Sequence, residues 1–153
     1  MRTAAMLTKI GTLAGTAVAA SALAMSVGTS AAWAGTAGVD PSGCGTGSTP
    51  KYTDFNVSGV TMREELRYAT GCGKVGWGRL TRIGGASTPL AVTQSAWNPG
   101  GSSQYGVPGT NWTYTVDASP GKQVCAGFHA SSIDALGNHH YIGWFYAGCW
   151  TAP

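Results

Sequence analysis

Beyond its first 34 residues the sequence has no apolar run near the ~20 residues that a membrane span requires. It also has little of the usual material for a core, with Leu66, Leu80, Leu90, Leu136, Ile83, Ile133 and Ile142 as its only leucines and isoleucines there. Charge is scarce, since Asp, Glu, Lys and Arg together make up 10% of the chain. The formal net charge of +3 includes Arg2 and Lys9, so the remainder carries seven basic and six acidic residues and a net charge of +1. No basic stripe is left to follow a phosphate backbone, which argues against a nucleic-acid partner. There is no Cys-x-x-Cys pair of the kind that structural zinc sites use. There is no Gly-x-Ser-x-Gly nucleophile elbow, and no internal repeat.

What is present begins with an export signal. Arg2 and Lys9 give a positive start, an Ala-rich apolar run follows over about 10–27, and Ala32-Trp33-Ala34 matches a small-x-small cleavage site. Residues 1–34 are therefore expected to be a signal peptide, which makes the protein secreted and leaves 119 residues, enough for one domain. The four cysteines, Cys44, Cys72, Cys125 and Cys149, all fall in this part. An even number in an exported chain reads as two disulfides. Three pairings are possible. The sequential one, Cys44–Cys72 with Cys125–Cys149, is favoured because it ties each half locally. On chain-entropy grounds each such bridge contributes roughly 3 kcal/mol.

Residues 35–50 are Gly, Ser, Thr and Pro with almost no bulky apolar side chain, so a flexible arm is expected there. Residues 51–153 are expected to form a single β-domain. Its centre is the stretch Glu64 to Ile83, two alternating strands around Thr70-Gly-Cys-Gly73. Leu66 and Tyr68 share one side of the first strand, and Val75, Trp77, Arg79 and Thr81 share one face of the second. Gly76 and Gly78 fall on the opposite face and leave room for close approach. Further strands are expected at Tyr52–Val57, Pro89–Trp97, Asn111–Ala118, around Val124–Phe128, and at His140–Trp150. The long Gly- and Pro-rich connection Asn98–Thr110 is expected to be functional or mobile. Short strands at about ten-residue spacing, with no helical period, predict an all-β fold. It would be a small disulfide-stapled sandwich or barrel of six or seven strands.

The chemistry-bearing residues favour binding over catalysis. Glu64 and Glu65 are neighbours, so on a strand they point to opposite faces. Glu65 suits structural ion pairs with Arg67, Arg79 or Arg82, with Asp54 near the same cluster. Ser131, Ser132, His129 and Asp134 lie close in sequence, which is not triad geometry. His129, His139 and His140 lack a metal-ligand spacing. No catalytic residue, metal or cofactor is indicated. Aromatics are abundant: Trp77, Trp97, Trp112, Trp144 and Trp150, with six tyrosines. Trp77, Trp112 and Trp144 are expected in the core. Trp97 and Tyr105, beside the long connection, are the expected exposed binding pair, because aromatics on a β face can stack on sugar rings or anchor a protein interface.

The run Glu65-Leu-Arg-Tyr-Ala-Thr-Gly-Cys-Gly-Lys-Val-Gly-Trp-Gly-Arg79, the later Ser-Pro-Gly-Lys-Gln-Val-Cys125 and the terminal Cys149 resemble a family of uncharacterised secreted domains of Streptomyces and related actinobacteria. The likeness spans about Phe55 to Trp150 and is a moderately specific family marker. The Asn98–Thr110 connection and the aromatic C-terminal strand depart from the family pattern. The resemblance implies no catalytic residue. Small exported proteins of this kind can serve as adapter subunits of secreted antibacterial particles such as the umbrella toxins. The expectation is thus a secreted, non-catalytic binding domain that engages an exported protein partner. A cell-wall or glycan-binding module is the first alternative, and a small hydrolase using Glu65 or Asp54 the second.

Overall fold

The structure, a computed structural model, describes residues 37–101 and 103–153. The expected signal peptide lies outside these residues. The described residues form eight strands: β1 (Ser48–Val57), β2 (Val60–Ala69), β3 (Val75–Gly85), β4 (Leu90–Trp97), β5 (Ser103–Tyr105), β6 (Val116–Asp117), β7 (Gln123–Ile133) and β8 (His139–Thr151). They make two antiparallel four-stranded sheets, in the orders β1-β2-β3-β6 and β5-β4-β7-β8. The expected all-β, disulfide-stapled sandwich is therefore the observed fold. Among the described residues no helix is long and apolar enough to cross a membrane.

Local sequence explains the hairpins. Ser58 and Gly59 both have positive φ (51° and 82°), which suits a two-residue connection whose twist matches the flanking strands. β2 and β3 pair as expected, with Glu65 opposite Arg79 and Tyr68 opposite Gly76. The core lies between the sheets. Val60, Met62 and Leu66 of β2 and Leu80 of β3 face Val124, Ala126, Phe128 and Ala130 of β7. Gly76 and Gly78 let the sheets come together: a Cβ on Gly76 would stand 2.8 Å from Val124 Cγ1, and one on Gly78 would stand 3.3 Å from Ala126 Cβ. Three phenylalanines fill one end, with the Phe55–Phe128 and Phe128–Phe145 ring centroids 5.7 and 5.1 Å apart. At one border Thr53 Oγ1 and Lys51 Nζ each donate at 3.3 Å, to Ala147 O and Cys149 O respectively, so side chains of β1 cover the free edge of β8.

Both disulfides have the sequential pairing. Cys125–Cys149 joins residues directly opposite each other on β7 and β8, and Cys44–Cys72 ties the N-terminal segment to the β2–β3 turn. Together they account for all the cysteines, and none is free.

Three expectations need correction. First, residues 37–50 are held against the sandwich, contrary to a flexible arm. Gly38 N donates to Thr115 O, Thr115 N to Val39 O, and Trp112 Nε1 to Asp40 Oδ1. One turn of 3-10 helix at Pro41–Gly43 follows. Cys44 then packs into a small core with Ala69, Val75 and Trp77 on the outer face of the first sheet, and β1 starts at Ser48. Apolar side chains are few here, but the bridge and the apolar outer face of β3 supply what the segment lacks. Second, the strand expected at Asn111–Ala118 is divided. Asn111, Thr113 and Val116–Asp117 bond to β3, while Tyr114 and Thr115 bond to Tyr105 and to the N-terminal segment. Thr113 and Thr115 are fully buried, and Trp112 and Tyr114 only half-buried, the reverse of the apolar-inside alternation. Thr113 is satisfied there because its hydroxyl accepts from Gly78 N and donates to Tyr114 O. Third, Trp77 is buried, but Trp112 is half-buried and Trp144 lies on the surface, 39% exposed.

Candidate functional site

The outward face of the second sheet gathers the aromatics. Register places Trp97, Cys125 and Cys149 in one row across β4, β7 and β8, and Thr93, His129 and Trp144 in another. Trp97 sits 5.7 Å from Trp144 and 5.6 Å from Tyr146, centroid to centroid. His129 lies 4.4 Å from Trp144 and 5.9 Å from Tyr141. The five rings form a continuous stripe along β8, and Tyr141, Trp144 and Tyr146 are exposed. Their planes are not parallel. Trp97 is inclined 45° to Trp144 and 29° to Tyr146, so the stripe is corrugated.

Two features of the backbone build this face. Gly127 leaves a bed for the Trp144 ring. The register of β7 with β8 shifts between Ala126 and Gly127 and again between Ala130 and Ser131. Such irregularities re-aim side chains, and here Tyr141, Trp144 and Tyr146 reach one surface despite uneven spacing. The Cys125–Cys149 bridge lies under one end of the stripe, where Tyr146 Oη comes 2.6 Å from Cys149 Sγ.

Charge is segregated between the sheets. β4, β5, β7 and β8 contain no Asp, Glu, Lys or Arg, whereas β1, β2 and β3 carry Lys51, Asp54, Arg63, Glu64, Glu65, Arg67, Arg79 and Arg82. The strands that build the aromatic face thus contribute no Asp, Glu, Lys or Arg to it.

Of the expected binding pair, Trp97 belongs to this stripe. Tyr105 is 62% exposed on the edge strand β5, opposite Ser95, whereas the ring contacts of Trp97 are with Trp144 and Tyr146. Sequence reasoning missed Trp144, Tyr146, Tyr141 and His129 as members. The absence of charged residues from 86 to 116 and from 135 to 153 is the signal that could have marked this sheet.

The expected ion-pair residues lie on the first sheet. Glu65 Oε2 stands 3.5 Å from Arg67 Nη1 and 3.9 Å from Arg79 Nη1. Arg82 lies opposite Met62, exposed and outside this group. Asp54 is held by Arg63 through two hydrogen bonds of 2.7 and 2.9 Å, which keep its carboxyl below the usual range. Arg63 in turn lies over the Tyr52 ring. Both carboxylates named for a hydrolase are thus engaged by arginines. Glu64 points inward and is fully buried, with neither oxygen hydrogen-bonded. Desolvation pushes its carboxyl up to about 8; the Gln94 amide is near enough to pull the other way but outside hydrogen-bonding geometry.

The remaining candidates are dispersed. His129 meets Tyr141, while Asp134 accepts from Leu136 N, Asn138 N and His140 Nε2 in the β7–β8 turn. His140, Asn138 and Leu136 hold the Asp134 carboxyl well below its ordinary range. Among the described residues no three His, Cys, Asp or Glu side chains are grouped to hold a metal ion. Comparison with protein families, with curated proteins and with solved structures gives no match.

Proposed function

We propose that this chain is a secreted, non-catalytic binding domain that engages an exported protein partner through the aromatic face of its second sheet. The observation that carries the reading is the stripe Trp97–Trp144–Tyr146–His129–Tyr141 on a sheet with no charged residue. Protein interfaces are enriched in Trp and Tyr and depleted in charge at their centres. An exposed patch of this composition on a small domain marks an interaction site. Export itself is supported by the signal-like N-terminus, and the two disulfides are compatible with an extracellular location.

Other routes to a partner are less well supported. The N-terminal segment from residue 37 is already bonded to the sandwich. The free edge of β8 is covered by Lys51 and Thr53, which disfavours strand addition there. An adapter role in a secreted antibacterial assembly accords with a small module that has one sticky face and no catalytic constellation among its described residues. The fitting partner presents an apolar, weakly charged ridge that enters between inclined rings.

A glycan is the second reading, favoured by the same rings. Their inclination argues against a flat crystalline polysaccharide and leaves a single twisted chain.

The test is to purify the tagged mature protein from native culture supernatant, beside a Trp97→Ala/Trp144→Ala variant. A stoichiometric exported protein that co-elutes with the wild type and is lost from the variant supports the reading. A partner retained by the variant overturns the assignment of the face. Binding of soluble peptidoglycan fragments or chitin oligosaccharides, lost in the variant, moves the function to glycan binding.

A further inference from the structure

The outer face of the first sheet, on the far side of the sandwich from the aromatic stripe, contains a cavity of about 210 Å³. Its walls include Ser42 and Thr46 of the N-terminal segment, Trp77, Trp112, Arg67 and Arg79. The two arginines differ in how they are used. Arg67 fastens the N-terminal segment, donating to Thr46 O, Gly47 O and Thr49 Oγ1. The Arg79 guanidinium makes no hydrogen bond with any described residue, and the carboxylate it pairs with, Glu65 Oε2, is 3.9 Å away. The Nε atoms of both arginines are buried without a partner. These two atoms are out of reach of solvent, so the free donors at the cavity are the Nη groups of Arg79, whose side chain is 41% exposed.

We propose that this cavity binds a carboxylate, with Arg79 as its principal ligand. The two Nη groups of the Arg79 fork offer parallel N–H donors, which match a carboxylate and not an isolated carbonyl. The Ser42 and Thr46 hydroxyls add donors at the rim, and the Trp77 and Trp112 rings cover the carbon body attached to the carboxylate. Net charge does not drive the binding. Glu65 is shared by the two arginines, and Asp40 beside the rim accepts from Ser42 N and Trp112 Nε1. Recognition therefore rests on the fork and the aromatic walls, and a weak, selective site is expected, with a dissociation constant on the order of 1 mM. This site is independent of the aromatic face and of the partner proposed for it.

The probe is N-acetylalanine, titrated into the full mature protein labelled with ¹⁵N, beside N-acetylalaninamide and sulfate. The expected result is a saturable shift of the Trp112 indole and Arg79 Nε–H resonances with the acid alone. Arg79→Gln should weaken the acid at least tenfold, and Arg79→Lys, which keeps the charge and loses the fork, at least fivefold. The Trp112 indole resonance of each ligand-free variant reports whether the N-terminal segment is still seated. Trp97→Ala should leave the titration unchanged. No saturable shift, an equal response to the amide, sulfate binding as tightly as the acid, or undiminished affinity in a seated Arg79→Gln variant would overturn the proposal.

Discussion

Trp144 rests on the space left by Gly127: a Cβ at Gly127 would stand 2.8 and 3.0 Å from two atoms of the Trp144 ring and 2.6 Å from Phe145 O. One of these neighbours is backbone of the adjacent strand, so the clash cannot be relieved by the ring alone. Gly127→Ala should displace Trp144 and strain the β7–β8 pairing, at about 1–3 kcal/mol of stability. Urea unfolding measures that loss. Near-ultraviolet circular dichroism of the folded variant reports the displaced ring. A variant as stable as the wild type with an unchanged aromatic spectrum would show that the bed is not needed.

The stripe also orders its members by their expected contribution to binding. Trp97 contacts both Trp144 and Tyr146, so removing it loosens two neighbours. Trp97→Ala and Trp144→Ala should each weaken partner binding by about tenfold or more, as interfacial tryptophans usually do. Tyr105→Ala, on the edge strand and apart from these rings, should change it by less than about threefold. Arg63→Ala, on the other sheet, should leave it unaltered. Surface plasmon resonance against the captured partner measures all four. An effect of Tyr105→Ala as large as that of Trp144→Ala would move the binding surface to β5.

Much of this architecture is legible in the sequence because it follows from local rules. The β2–β3 hairpin, the opposite facing of Glu64 and Glu65, the pairing of Glu65 with Arg67 and Arg79, and the sequential disulfides all come from period-two alternation and short separations. The errors share a different cause. Trp144 alternates correctly with Phe145, but the two register shifts in β7–β8 decide which surface Tyr141 reaches, and those depend on the partner strand. Thr113 and Thr115 are buried because their neighbours supply hydrogen bonds that alternation does not count. The N-terminal segment is ordered by residues that are distant in sequence, Cys72 and Thr115. The carboxyl of Glu64 sits beside Gly78, a glycine that sequence alone marked only as open space.

The N-terminal segment provides a separable test. Cys44–Cys72 and the hydrogen bonds to Thr115 hold it over Trp77, whose ring would be 2.9 Å from a Cβ on Gly47. Replacing both cysteines by serine should cost about 3 kcal/mol and release the segment while the two sheets persist. Trp77 would then meet water, so the fluorescence maximum should move to longer wavelength, while far-ultraviolet circular dichroism and binding through the aromatic face remain. Loss of the sheet signal together with the shift would show that the segment is part of the folding unit and not an added cover.

Glu64 makes stability depend on pH in a direction opposite to that of the surface carboxylates. Asp54 and Asp134 have lowered carboxyl pKa values, so what they contribute is present above the ordinary carboxylate range and is lost as pH falls toward their folded values. Glu64 is raised to about 8 by burial. Between its unfolded value of about 4.5 and about 8 the folded chain keeps a proton that the unfolded chain gives up, so stability falls as pH rises through this window. The full loss for this group is on the order of 4–5 kcal/mol as an upper figure. Glu64→Gln replaces the neutral carboxyl by a neutral amide of similar shape and removes the proton exchange. Melting temperatures of the two proteins should converge near pH 5, separate progressively up to about pH 8 and stay apart above it, with the variant the more stable. Taking the difference between them cancels the histidines and the surface carboxylates. Curves that stay parallel across pH 5–9, with or without an offset, would mean that Glu64 ionises as readily inside the sandwich as in the unfolded chain.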